Sequence, residues 1–577
     1  MSSGLFDNPN YDVVIIGSGA GGMVAAVRAH DLGLRPILIE KSDRFGGTSA
    51  VSGSGLWIPN NMFIKDQDSD EAAFGYLKAT TKGEVADEMI WRYIRSSQRL
   101  LQFLQEIGVD YYLNPALKYP DYHPEAPGAL PEGRALFVRP VDGSLLGDEY
   151  FSLRESYPEF KLLDRITLDL DEGGAMIMKA PGWQLTLAKH LLRYAFDIRW
   201  RLKTHRDRRL AHGNALIGRL RLAMLKRNIP LVLKTRMTAL ETDEAGKVIG
   251  VRAQHDGRDV HIGAAKGVIM AAGGYEQSPE FREKYLPKGS QVTWSVTPRG
   301  NNTGDALRAA QSVNADMAFL HEAWWAPSVE FPSPKSPNIT RNHGIFFERG
   351  LPHSLCVNQR GERFVNEASS YHRFGEAMIA DNEKTGANMP CYIIFDSRFR
   401  KKYPLGGLLP GGVKPDWMLP ANWLKSFVHK AGTIAELAAM TGLPTATLEA
   451  TVARFNSMVG KGVDEDFGRG GDFFNLYQGD PYHKPNPCLG TVAKAPFYAV
   501  KLDLGDLGSK GGPKTDEYAR VLGVDGRPVA GLYAVGNCAA TVMGDAYPGA
   551  GVTLGTTMTF GFLASSHIAG ANDVNPI

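Results

Sequence analysis

The chain has 577 residues, which is too long for a single hydrophobic core, so two or more domains are expected. Hydrophobic residues make up 43% of the chain and charged residues 22%, as in ordinary globular enzymes. The 64 basic residues nearly balance the 62 acidic ones, so nucleic acid is not a favoured partner.

The first predicted element is a buried strand that runs into a glycine motif. Four β-branched residues, Val13–Ile16, suit a strand that is covered on both faces of a parallel sheet. Gly17, Gly19 and Gly22 then complete G-x-G-x-x-G, and residues 23–32 read as a helix. In this motif the first glycine allows the turn, the second lets a pyrophosphate approach, and the third lets the helix pack on the strand. The phosphates would lie at the helix N-terminus.

A second predicted strand supports the assignment of a dinucleotide-binding site, because G-x-G-x-x-G alone is weak evidence. Pro36–Glu40 reads as a strand that ends in a carboxylate 18 residues after Gly22. A carboxylate at that distance is placed to accept hydrogen bonds from the ribose of an adenosine group. The alternative, a chance glycine turn in another α/β sheet, explains the glycines but not Glu40.

The segment that follows Glu40 resembles a known family. Residues 41–53, KSDRFGGTSAVSG, are similar to the loop that wraps FAD in flavoproteins of the fumarate reductase and 3-ketosteroid dehydrogenase superfamily. Residues 266–274 resemble the strand that returns to the cofactor, and residues 531–537 resemble the segment that meets the flavin ribityl chain. The resemblance therefore implies FAD as the cofactor.

The same resemblance implies how FAD is held. Some members link FAD covalently through a histidine in the first region, but no histidine occurs between His30 and His123, so non-covalent FAD is expected. The positions that match the cofactor contacts of the superfamily are Gly17, Gly19, Ala20, Gly22, Glu40, Lys41, Gly47, Thr48, Ser49, Ser52, Gly53, Ala272, Gly273, Gly536, Asn537, Val552 and Leu554.

The resemblance also implies an α/β fold: a Rossmann-like FAD-binding domain with an inserted α+β substrate-capping (catalytic) domain. The FAD-binding domain would be split into residues 1–288 and 494–577, and the cap would occupy residues 289–493. Residues 302–308, NTGDALR, resemble the element that leads from the return strand into the cap.

One segment, residues 189–209, is unusually basic. It contains eight Lys or Arg against two Asp, and apolar residues lie among them. Two interpretations stay open: a solvated surface helix and loop, or an interfacial patch that contacts anionic lipid. In the second, the protein is peripherally associated with a membrane.

Markers of secretion and of metal binding are missing from the sequence. No basic segment precedes the first apolar run, as a signal peptide would require, so we expect a cytoplasmic protein. The four cysteines are widely spaced without a C-x-x-C pair, and no spacing with histidine resembles a zinc site. We therefore predict free thiols and no metal.

Near the C-terminus, the sequence GDAYPGAGVTLG narrows the resemblance to 3-ketosteroid Δ1-dehydrogenases. In that family the tyrosine hydroxyl and the last glycine N–H of Y-P-G-x-G hold the C3 carbonyl of the steroid, which implies Tyr547 and Gly551 here. The catalytic base would be Tyr371, in the segment NEASSYHRFG. A Pro-Asp-Tyr segment supplies an assisting tyrosine, Tyr122, and Tyr119 competes for this match.

The chemistry accounts for these residue types without the family. A proton beside a ketone becomes acidic only if the developing enolate oxygen is stabilised, and a phenol and an amide N–H aimed at that oxygen do so. A base must take the C2 proton while flavin N5 accepts a hydride from C1. A tyrosine suits an apolar steroid pocket because its ring packs and its oxygen still reaches. Its pKa of about 10 must be lowered or its proton passed on, which gives a second tyrosine a role.

The glycines around Tyr547 also have a predicted purpose. A helix is expected to begin near Thr553 with its partially positive N-terminus toward the flavin, where it would stabilise the anionic reduced ring. A β-carbon at Gly551 would crowd the substrate or the flavin and disturb a backbone that needs a positive φ. One loop would then serve both the flavin and the substrate oxygen.

The predicted activity is 1,2-desaturation of 3-oxo-4-ene steroids in sterol catabolism, with an artificial or quinone-type electron acceptor. A fumarate-type reductase would need cationic clamps, for which Arg299, Arg341 and Arg373 are available, but the tyrosine motifs argue against it. A 3-ketosteroid Δ4-dehydrogenase would share the fold and act at C4 and C5. A non-catalytic flavin-binding protein would not need the tyrosines. Trp324 and Trp325 either line an apolar pocket or pack in a core.

Overall fold

The computed structural model describes residues 11–114, 118–158, 161–177, 180–333 and 340–571. The two largest sheets, of eight and six strands, contain β1 (Tyr11–Ile16), β2 (Pro36–Ile39), β3 (Leu231–Val232), β4 (Thr235–Thr242), β5 (Val248–His255), β6 (Arg258–Met270), β7 (Ala323–Pro332), β8 (Thr340–Gly344), β9 (Ser354–Val357), β10 (Cys391–Asp396), β11 (Val428–Ala431), β12 (Phe497–Ser509), β13 (Arg520–Leu522) and β14 (Pro528–Ala534). Shorter paired strands are Leu56–Trp57, Tyr111–Tyr112, Ala135–Val138, Val141–Asp142, Lys161–Leu162, Ile166–Thr167, Arg209–Leu210, Met317–Ala318 and Gly512–Pro513.

The α-helices are numbered along the chain in the same way. They are α1 (Ala20–Asp31), α2 (Asp70–Thr80), α3 (Asp87–Glu106), α4 (Leu170–Ile177), α5 (Trp183–Phe196), α6 (Ile198–Arg201), α7 (His212–Leu225), α8 (Pro279–Tyr285), α9 (Asp305–Ser312), α10 (Tyr371–Thr385), α11 (Ser397–Lys402), α12 (Trp423–Ser426), α13 (Ile434–Thr441), α14 (Thr445–Lys461), α15 (Phe473–Gln478) and α16 (Val552–Ala569).

The larger sheet has a parallel centre in the order β3-β2-β1-β6-β14. β1 lies in the middle, and Val13, Val14 and Ile15 are fully buried because both faces of the sheet are covered. Val13 and Ile15 share a core with α1, whereas Val14 and Ile16 share one with β4 and β5. The predicted strand and helix are confirmed, and α1 begins at Ala20, three residues before the predicted start.

α1 and α16 cross at two glycines that bring their backbones close together. A β-carbon built on Gly561 would lie 2.6 Å from the carbonyl oxygen of Gly21, and one on Gly21 would lie 2.4 Å from the methyl carbon of Thr557. Across the same interface, Ser565 Oγ donates a hydrogen bond to the Ala25 carbonyl at 2.8 Å. The C-terminal helix is thus fixed against the helix of the glycine motif.

The smaller sheet is antiparallel, in the order β8-β7-β12-β10-β9, with β11 also paired to β12. α10 shares a core with one face of this sheet, and α13 and α14 share a core with the other. β12 lies at the centre of this sheet although it follows residue 493. The division of the chain into residues 1–288, 289–493 and 494–577 stays a prediction.

All four cysteines, Cys356, Cys391, Cys488 and Cys538, are buried and free. Burial raises the pKa of each thiol and disfavours the thiolate. The prediction of free thiols is confirmed.

We expect Gly561→Ala to lower the melting temperature, because its methyl group would lie 2.6 Å from a backbone oxygen of α1. Overpacking of this kind costs about 1–3 kcal/mol. Gly460→Ala is the matched control, since Gly460 is an exposed glycine of α14 with no atom within 4 Å of its β-carbon position. Alanine there should stabilise the helix by about 0.5–1 kcal/mol. Thermal unfolding of the two variants should give shifts of opposite sign, and two equal shifts would contradict the close helix crossing.

Candidate active site

The glycine motif between β1 and α1 has the geometry of a dinucleotide-binding turn. Gly17 has a φ of +104°, and a β-carbon on it would lie 2.4 Å from the Ala271 carbonyl oxygen. A β-carbon on Gly22 would lie 2.1 Å from the Gly17 carbonyl oxygen, so this glycine lets α1 approach the end of the strand. At Gly19 the nearest atom is Ser49 Oγ at 3.4 Å, which leaves space at the middle glycine for a phosphate.

The loop of residues 46–53 folds back onto the N-terminus of α1. Ser49 Oγ accepts a hydrogen bond from the Ala20 N–H at 3.1 Å. Thr48 Oγ1 accepts one from Asn302 Nδ2 at 3.0 Å, which ties the loop to the segment after the return strand. The remaining residues of this loop that were predicted to contact the cofactor are Gly47, Ser52 and Gly53.

Glu40 follows β2 at the carboxyl edge of the sheet. It accepts hydrogen bonds from Ser18 N at 3.0 Å, Ser18 Oγ at 2.6 Å and Ser42 N at 2.9 Å. A carboxylate has about four acceptor positions, so one stays available for a ribose hydroxyl. Lys41 Nζ lies 3.0 Å from Asp305 Oδ2, so its charge already has a protein partner, and direct contact of Lys41 with the cofactor stays a prediction.

Two further glycines with positive φ lie where β6 and β14 end. A β-carbon on Gly273 (φ +77°) would lie 2.5 Å from Asn302 Oδ1, and one on Gly536 (φ +71°) would lie 2.6 Å from a side chain of α16. Asn537 Oδ1 accepts a hydrogen bond from Trp324 Nε1 at 2.9 Å. The other residues predicted to contact the cofactor on this side are Ala272, Val552 and Leu554.

Both helices that point at this region begin without a side-chain cap. Gly19 before α1 and Gly551 before α16 supply no capping oxygen, and the first turn of each helix contains no acidic residue. The positive ends of the two helix dipoles are therefore uncompensated by the protein. The arrangement fits a dinucleotide whose pyrophosphate lies at α1 and whose flavin ring lies near α16.

Three tyrosines from distant parts of the chain meet beside this region. Tyr122 donates a hydrogen bond from its hydroxyl to Tyr371 Oη at 3.1 Å. The ring centroids of Tyr122 and Tyr371 lie 5.4 Å apart, those of Tyr122 and Tyr547 5.4 Å, and those of Tyr371 and Tyr547 5.2 Å. All three side chains are buried. The structure therefore brings together the three tyrosines that the sequence predicted.

Each of these tyrosines has another aromatic ring packed edge-on against it. Measured between ring centroids, Phe474 lies 5.1 Å from Tyr122, Phe346 5.3 Å from Tyr371, and Trp324 5.0 Å from Tyr547. Apolar rings thus surround the three phenols.

Burial sets the protonation of the three phenols. It raises the pKa of Tyr371 well above its ordinary value, and ionisation of Tyr122 or Tyr547 would raise it further. The pKa of Tyr122 is raised in the same way, and that of Tyr547 is raised to about 12. A neutral phenol suits a hydrogen-bond donor, as proposed for Tyr547. A phenol that acts as a base needs a group that stabilises its phenolate.

The loop of Tyr547 is held to the segment of Tyr122 by backbone pairing. Tyr122 N donates to the Pro548 carbonyl at 2.8 Å, and Asp121 and Gly549 form an antiparallel bridge. This register fixes Tyr122, the predicted assisting tyrosine, opposite Tyr547, the predicted oxygen donor. Tyr119 lies outside the cluster, since its ring packs on Phe137 and Tyr477.

Gly551 confirms the predicted need for a positive φ, with a value of +94°. A β-carbon on it would lie 2.2 Å from the carbonyl carbon of Gly55 and 2.4 Å from Leu56 N. The crowding that a larger residue would cause therefore begins with the protein's own backbone. α16 begins at Val552, one residue before the predicted start.

Two side chains that the sequence analysis missed hold the backbone just before Tyr547. His372 Nε2 donates to the Asp545 carbonyl at 2.8 Å, while Trp325 N donates to His372 Nδ1 at 3.2 Å. Lys510 Nζ donates to the same Asp545 carbonyl. One carbonyl oxygen therefore joins α10, the end of β12 and the loop of Tyr547. An isolated lysine or histidine gives no sequence signal for such a contact, apart from the position of His372 next to Tyr371.

Burial lowers the pKa of both holding groups, which leaves the imidazole neutral and the ammonium still charged at neutral pH. The pKa of His372 lies well below its ordinary value because of burial and the nearby Lys510 charge. The pKa of Lys510 is lowered to about 8 by burial, which Glu322 opposes from 3.7 Å. A neutral imidazole with Nε2–H as donor matches the two hydrogen bonds that His372 makes.

Comparison with known proteins extends these observations over nearly the whole chain. The family model described as FAD binding domain matches residues 12–554. A 3-oxosteroid 1-dehydrogenase of Mycobacterium tuberculosis is 37% identical over 97% of this chain and 98% of its own length. A 4-oxocyclohexanecarboxylate 2-dehydrogenase of Sinomonas cyclohexanicum is 33% identical over 97% of this chain and 93% of its own length.

One solved structure is similar in both sequence and fold. The 3-ketosteroid Δ1-dehydrogenase of Sterolibacterium denitrificans, in complex with 1,4-androstadiene-3,17-dione, is 43% identical, with a TM-score of 0.93 over 98% of this chain and 100% of its own. These likenesses confirm the α/β fold with a Rossmann-like FAD-binding domain and a capping domain, and they confirm FAD as the cofactor of an oxidoreductase. The chain belongs to the 3-oxosteroid 1-dehydrogenase family of FAD-dependent flavoproteins.

Proposed function

We propose that the protein introduces a double bond between C1 and C2 of 3-oxo-4-ene steroids, as a step of sterol catabolism. The observation that carries this proposal is the convergence of Tyr122, Tyr371 and Tyr547 in one apolar site. Removal of a C2 proton needs a base and a donor to the C3 oxygen, and three phenols supply both. FAD, when bound, supplies an acceptor for the hydride that leaves C1. The similar enzyme of Sterolibacterium denitrificans was solved with a steroid 1,4-diene.

Tyr371 is the residue that we assign as the base. It is the first residue of α10, where the positive end of the helix dipole favours a phenolate. Tyr122 donates its hydroxyl proton to Tyr371 Oη at 3.1 Å, which also favours the phenolate form. The edge-on ring of Phe346 packs the base without competing for its oxygen.

Tyr547 and the N–H of Gly551 are assigned as the donors to the C3 oxygen. Tyr547 has a pKa raised to about 12 by burial, so it keeps its proton and donates. Gly551 lies at the turn into α16, where the first N–H groups of the helix lack intrahelical partners. These donors stabilise the negative charge that gathers on the oxygen as the C2 proton leaves.

The surroundings of the tyrosines favour an apolar ring ketone over a dicarboxylate. Arg373, one of the arginines that a fumarate-type reductase would need, is paired with Glu125 at 3.1 Å. Arg299 lies 3.8 Å from Glu330 at the surface. Aromatic walls around the three phenols suit a steroid, which buries mainly hydrocarbon. A 3-oxo-4-ene substrate already carries the double bond that a Δ4-dehydrogenase would make, so its oxidation distinguishes the two activities.

The first test of this function is substitution of the two tyrosines that would contact the substrate. Tyr371→Phe should lower the rate of flavin reduction by a 3-oxo-4-ene steroid about 10²–10⁴-fold, because only the proton acceptor is removed. Tyr547→Phe should lower it about 10²–10³-fold, because charge on the C3 oxygen is greatest in the transition state. Steroid binding to Tyr547→Phe should weaken by only about 0.5–1.5 kcal/mol. Stopped-flow flavin bleaching and steroid titration measure these two quantities.

Tyr119→Phe is the matched control for both variants, since the Tyr119 ring packs on Phe137 and Tyr477 and not on the three phenols. It should reduce flavin at close to the normal rate. Unchanged reduction in Tyr371→Phe and Tyr547→Phe would show that these tyrosines only pack, and would remove the proposed mechanism.

The second test concerns the attachment of FAD. We expect acid precipitation to release all the flavin into the supernatant, because the sequence has no histidine between His30 and His123 that could link it. The absorbance spectra of the supernatant and of the redissolved pellet measure the two fractions. Yellow flavin that stays with the pellet would contradict the non-covalent assignment.

We further propose that α5 and α6 contact a membrane surface. The reduced flavin would pass its electrons to a quinone-type acceptor in that membrane, or to an artificial acceptor in vitro. Several large apolar side chains of this region face solvent: Leu185 (77% exposed), Leu192 (55%), Phe196 (74%), Ile198 (62%) and Leu202 (84%). Within the described residues, none of the helices combines the length and the apolar character that crossing a bilayer requires. The proposed contact is therefore peripheral.

Only part of the positive charge of residues 189–209 is available to lipid. Arg193 pairs with Asp207 at 2.6 Å and Arg209 with Glu172 at 2.6 Å, so these arginines hold the segment to the rest of the protein. Three exposed cations have no ion-pair partner among the described residues: Lys189, Arg199 and Lys203. They lie among the exposed apolar side chains, as in interfacial helices that bind anionic lipid.

The third test replaces these three cations together by glutamine. Because each basic residue near an anionic surface contributes about 1 kcal/mol, the triple variant should bind vesicles of phosphatidylcholine and phosphatidylglycerol about 100-fold more weakly. Salt should weaken the binding of the native chain in the same way. The control is Lys226→Gln/Lys288→Gln/Lys384→Gln, which removes three exposed charges elsewhere. Equal sedimentation of all three proteins with vesicles would leave only the solvated-helix interpretation.

A further inference from the structure

Arg349 is a deeply buried arginine next to the tyrosine cluster. It is 1% exposed and lies in the short 3-10 turn Glu348–Gly350. Its guanidinium donates to the backbone carbonyls of Ile345 at 3.2 Å, Phe346 at 2.5 Å and Ser369. Its hydrogen-bond partners are therefore neutral dipoles.

Three other described arginines are equally buried, and each of them has a carboxylate partner. Arg134 lies 2.5 Å from Asp68 and 2.7 Å from Asp121, Arg282 lies 2.8 Å from Asp506, and Arg469 lies 3.3 Å from Glu367. Around Arg349, no carboxylate oxygen of the described residues lies within 4.0 Å. The Phe374 ring lies 5.0 Å from the guanidinium carbon, but a ring face does not neutralise the charge as a carboxylate does. Burying a cation without a carboxylate partner is costly, so its presence points to a use for the positive charge.

Arg349 contacts two segments that pack against or lead into Tyr371, the proposed base. The ring of Phe346, whose carbonyl it binds, packs edge-on against Tyr371 at 5.3 Å. Ser369, whose carbonyl it also binds, comes two residues before Tyr371. Ionised Tyr122 and Tyr371 each raise the pKa of Arg349, and the charge of Arg349 in turn lowers the pKa of Tyr122.

Lys510 is the other positive charge near the tyrosines, but its ammonium binds the Asp545 carbonyl and lies 3.7 Å from the Glu322 carboxylate. Among the described residues, the remaining titratable groups around the two tyrosines supply no positive charge. The Glu348 carboxylate accepts hydrogen bonds from two backbone N–H groups, at 2.9 and 3.1 Å. Burial raises the pKa of the Cys356 thiol, which stays neutral, and the low pKa of His372 keeps its imidazole neutral. Ionisation of Tyr119 or Tyr547 would oppose that of Tyr122.

We propose that Arg349 is a positioning residue for the base: its buried positive charge stabilises the phenolate of Tyr371 that Tyr122 supports by a hydrogen bond. This inference rests on the proposed function. Before the substrate reacts, the O–H bond of Tyr371 breaks and its proton goes to solvent. The phenolate then takes the C2 proton, and the electron pair of the C2–H bond moves toward the C3 oxygen. Arg349 makes no bond to the substrate; it keeps the arginine–tyrosinate pair neutral in a dry site.

This role predicts the direction in which the pH dependence of activity shifts when the charge of Arg349 is removed. Below its pKa, a tyrosine gains about tenfold in phenolate fraction for each unit by which the pKa falls. Loss of the positive charge raises the pKa of the base, so the rise of activity with pH moves to more alkaline values. A residue that only held the backbone would change the rate and the stability without moving this rise.

The first experiment measures flavin reduction by a 3-oxo-4-ene steroid from pH 6 to 11 in three holoenzyme variants. Arg349→Gln, which removes the charge but still donates hydrogen bonds, should shift the rise by about one unit or more and lower the rate at neutral pH at least about tenfold. Arg373→Gln, at a half-buried arginine in the same helix turn as Tyr371 that is paired with Glu125, should keep the native profile. A native profile midpoint in Arg349→Gln would overturn the proposal.

Arg349→Lys keeps the inference testable if the glutamine variant does not fold. A buried lysine loses its proton more readily than arginine, so this variant should lose activity again at alkaline pH and give a bell-shaped profile. The native enzyme should rise to a plateau instead. A plateau in Arg349→Lys would also overturn the proposal.

A second measurement separates this inference from the proposed function, because it needs no steroid. With 3-fluorotyrosine at position 371 of the holoenzyme, the ¹⁹F chemical shift reports ionisation of that phenol directly. The pKa read in this way should be higher in Arg349→Gln than in the native chain by about one unit or more. If the steroid is not oxidised but this shift is seen, the function fails and the charge effect stands. Equal pKa values in the two proteins would refute the role of Arg349.

Discussion

The cost of ionising a phenol away from water is the constraint on which the rest of this site depends. The aromatic packing that suits a steroid also raises the pKa of Tyr371 well above its ordinary value. Whatever reduces that cost must act without solvent, and the structure offers the N-terminus of α10, the hydroxyl of Tyr122 and the guanidinium of Arg349. These groups come from three separate segments, so the strength of Tyr371 as the proposed base depends on how the segments dock.

Close backbone contact is the second condition of the site. In the proposed function the loop of Tyr547 reaches the substrate oxygen and ends in the helix near the flavin, and its glycines have no space for a side chain. A β-carbon on Gly549 would lie 2.5 Å from the Trp57 indole, and one on Gly551 would lie 2.2 Å from the backbone of Gly55. Because packed interiors do not deform continuously, such contacts fix the loop to within tenths of an ångström.

The sequence was informative where the chemistry is local. The β-branched run before Gly17 predicted β1 and α1, and the Y-P-G-x-G motif predicted the position of Tyr547, because each depends on neighbours along the chain. Lys510 and Arg349 were not found, since a single cation has no pattern until the fold shows which carbonyls it contacts and which carboxylates are missing. The sequence likewise did not predict which sheet contains β12, because the alternation of apolar and polar residues along a strand does not identify the neighbouring strands.

The place of β12 has a consequence for how the chain is made. It is the central strand of the smaller sheet, yet it spans Phe497–Ser509 and is synthesised after all the strands that it joins. During translation β7 and β10 therefore lack their shared neighbour until nearly nine-tenths of the chain has left the ribosome. Strands with unpaired edges are templates for association with other chains. Nascent chains of this protein should accordingly depend on chaperones until β12 emerges. Truncation before residue 497 should leave the smaller sheet as two separate strand pairs, β7 with β8 and β9 with β10, and an unpaired β11.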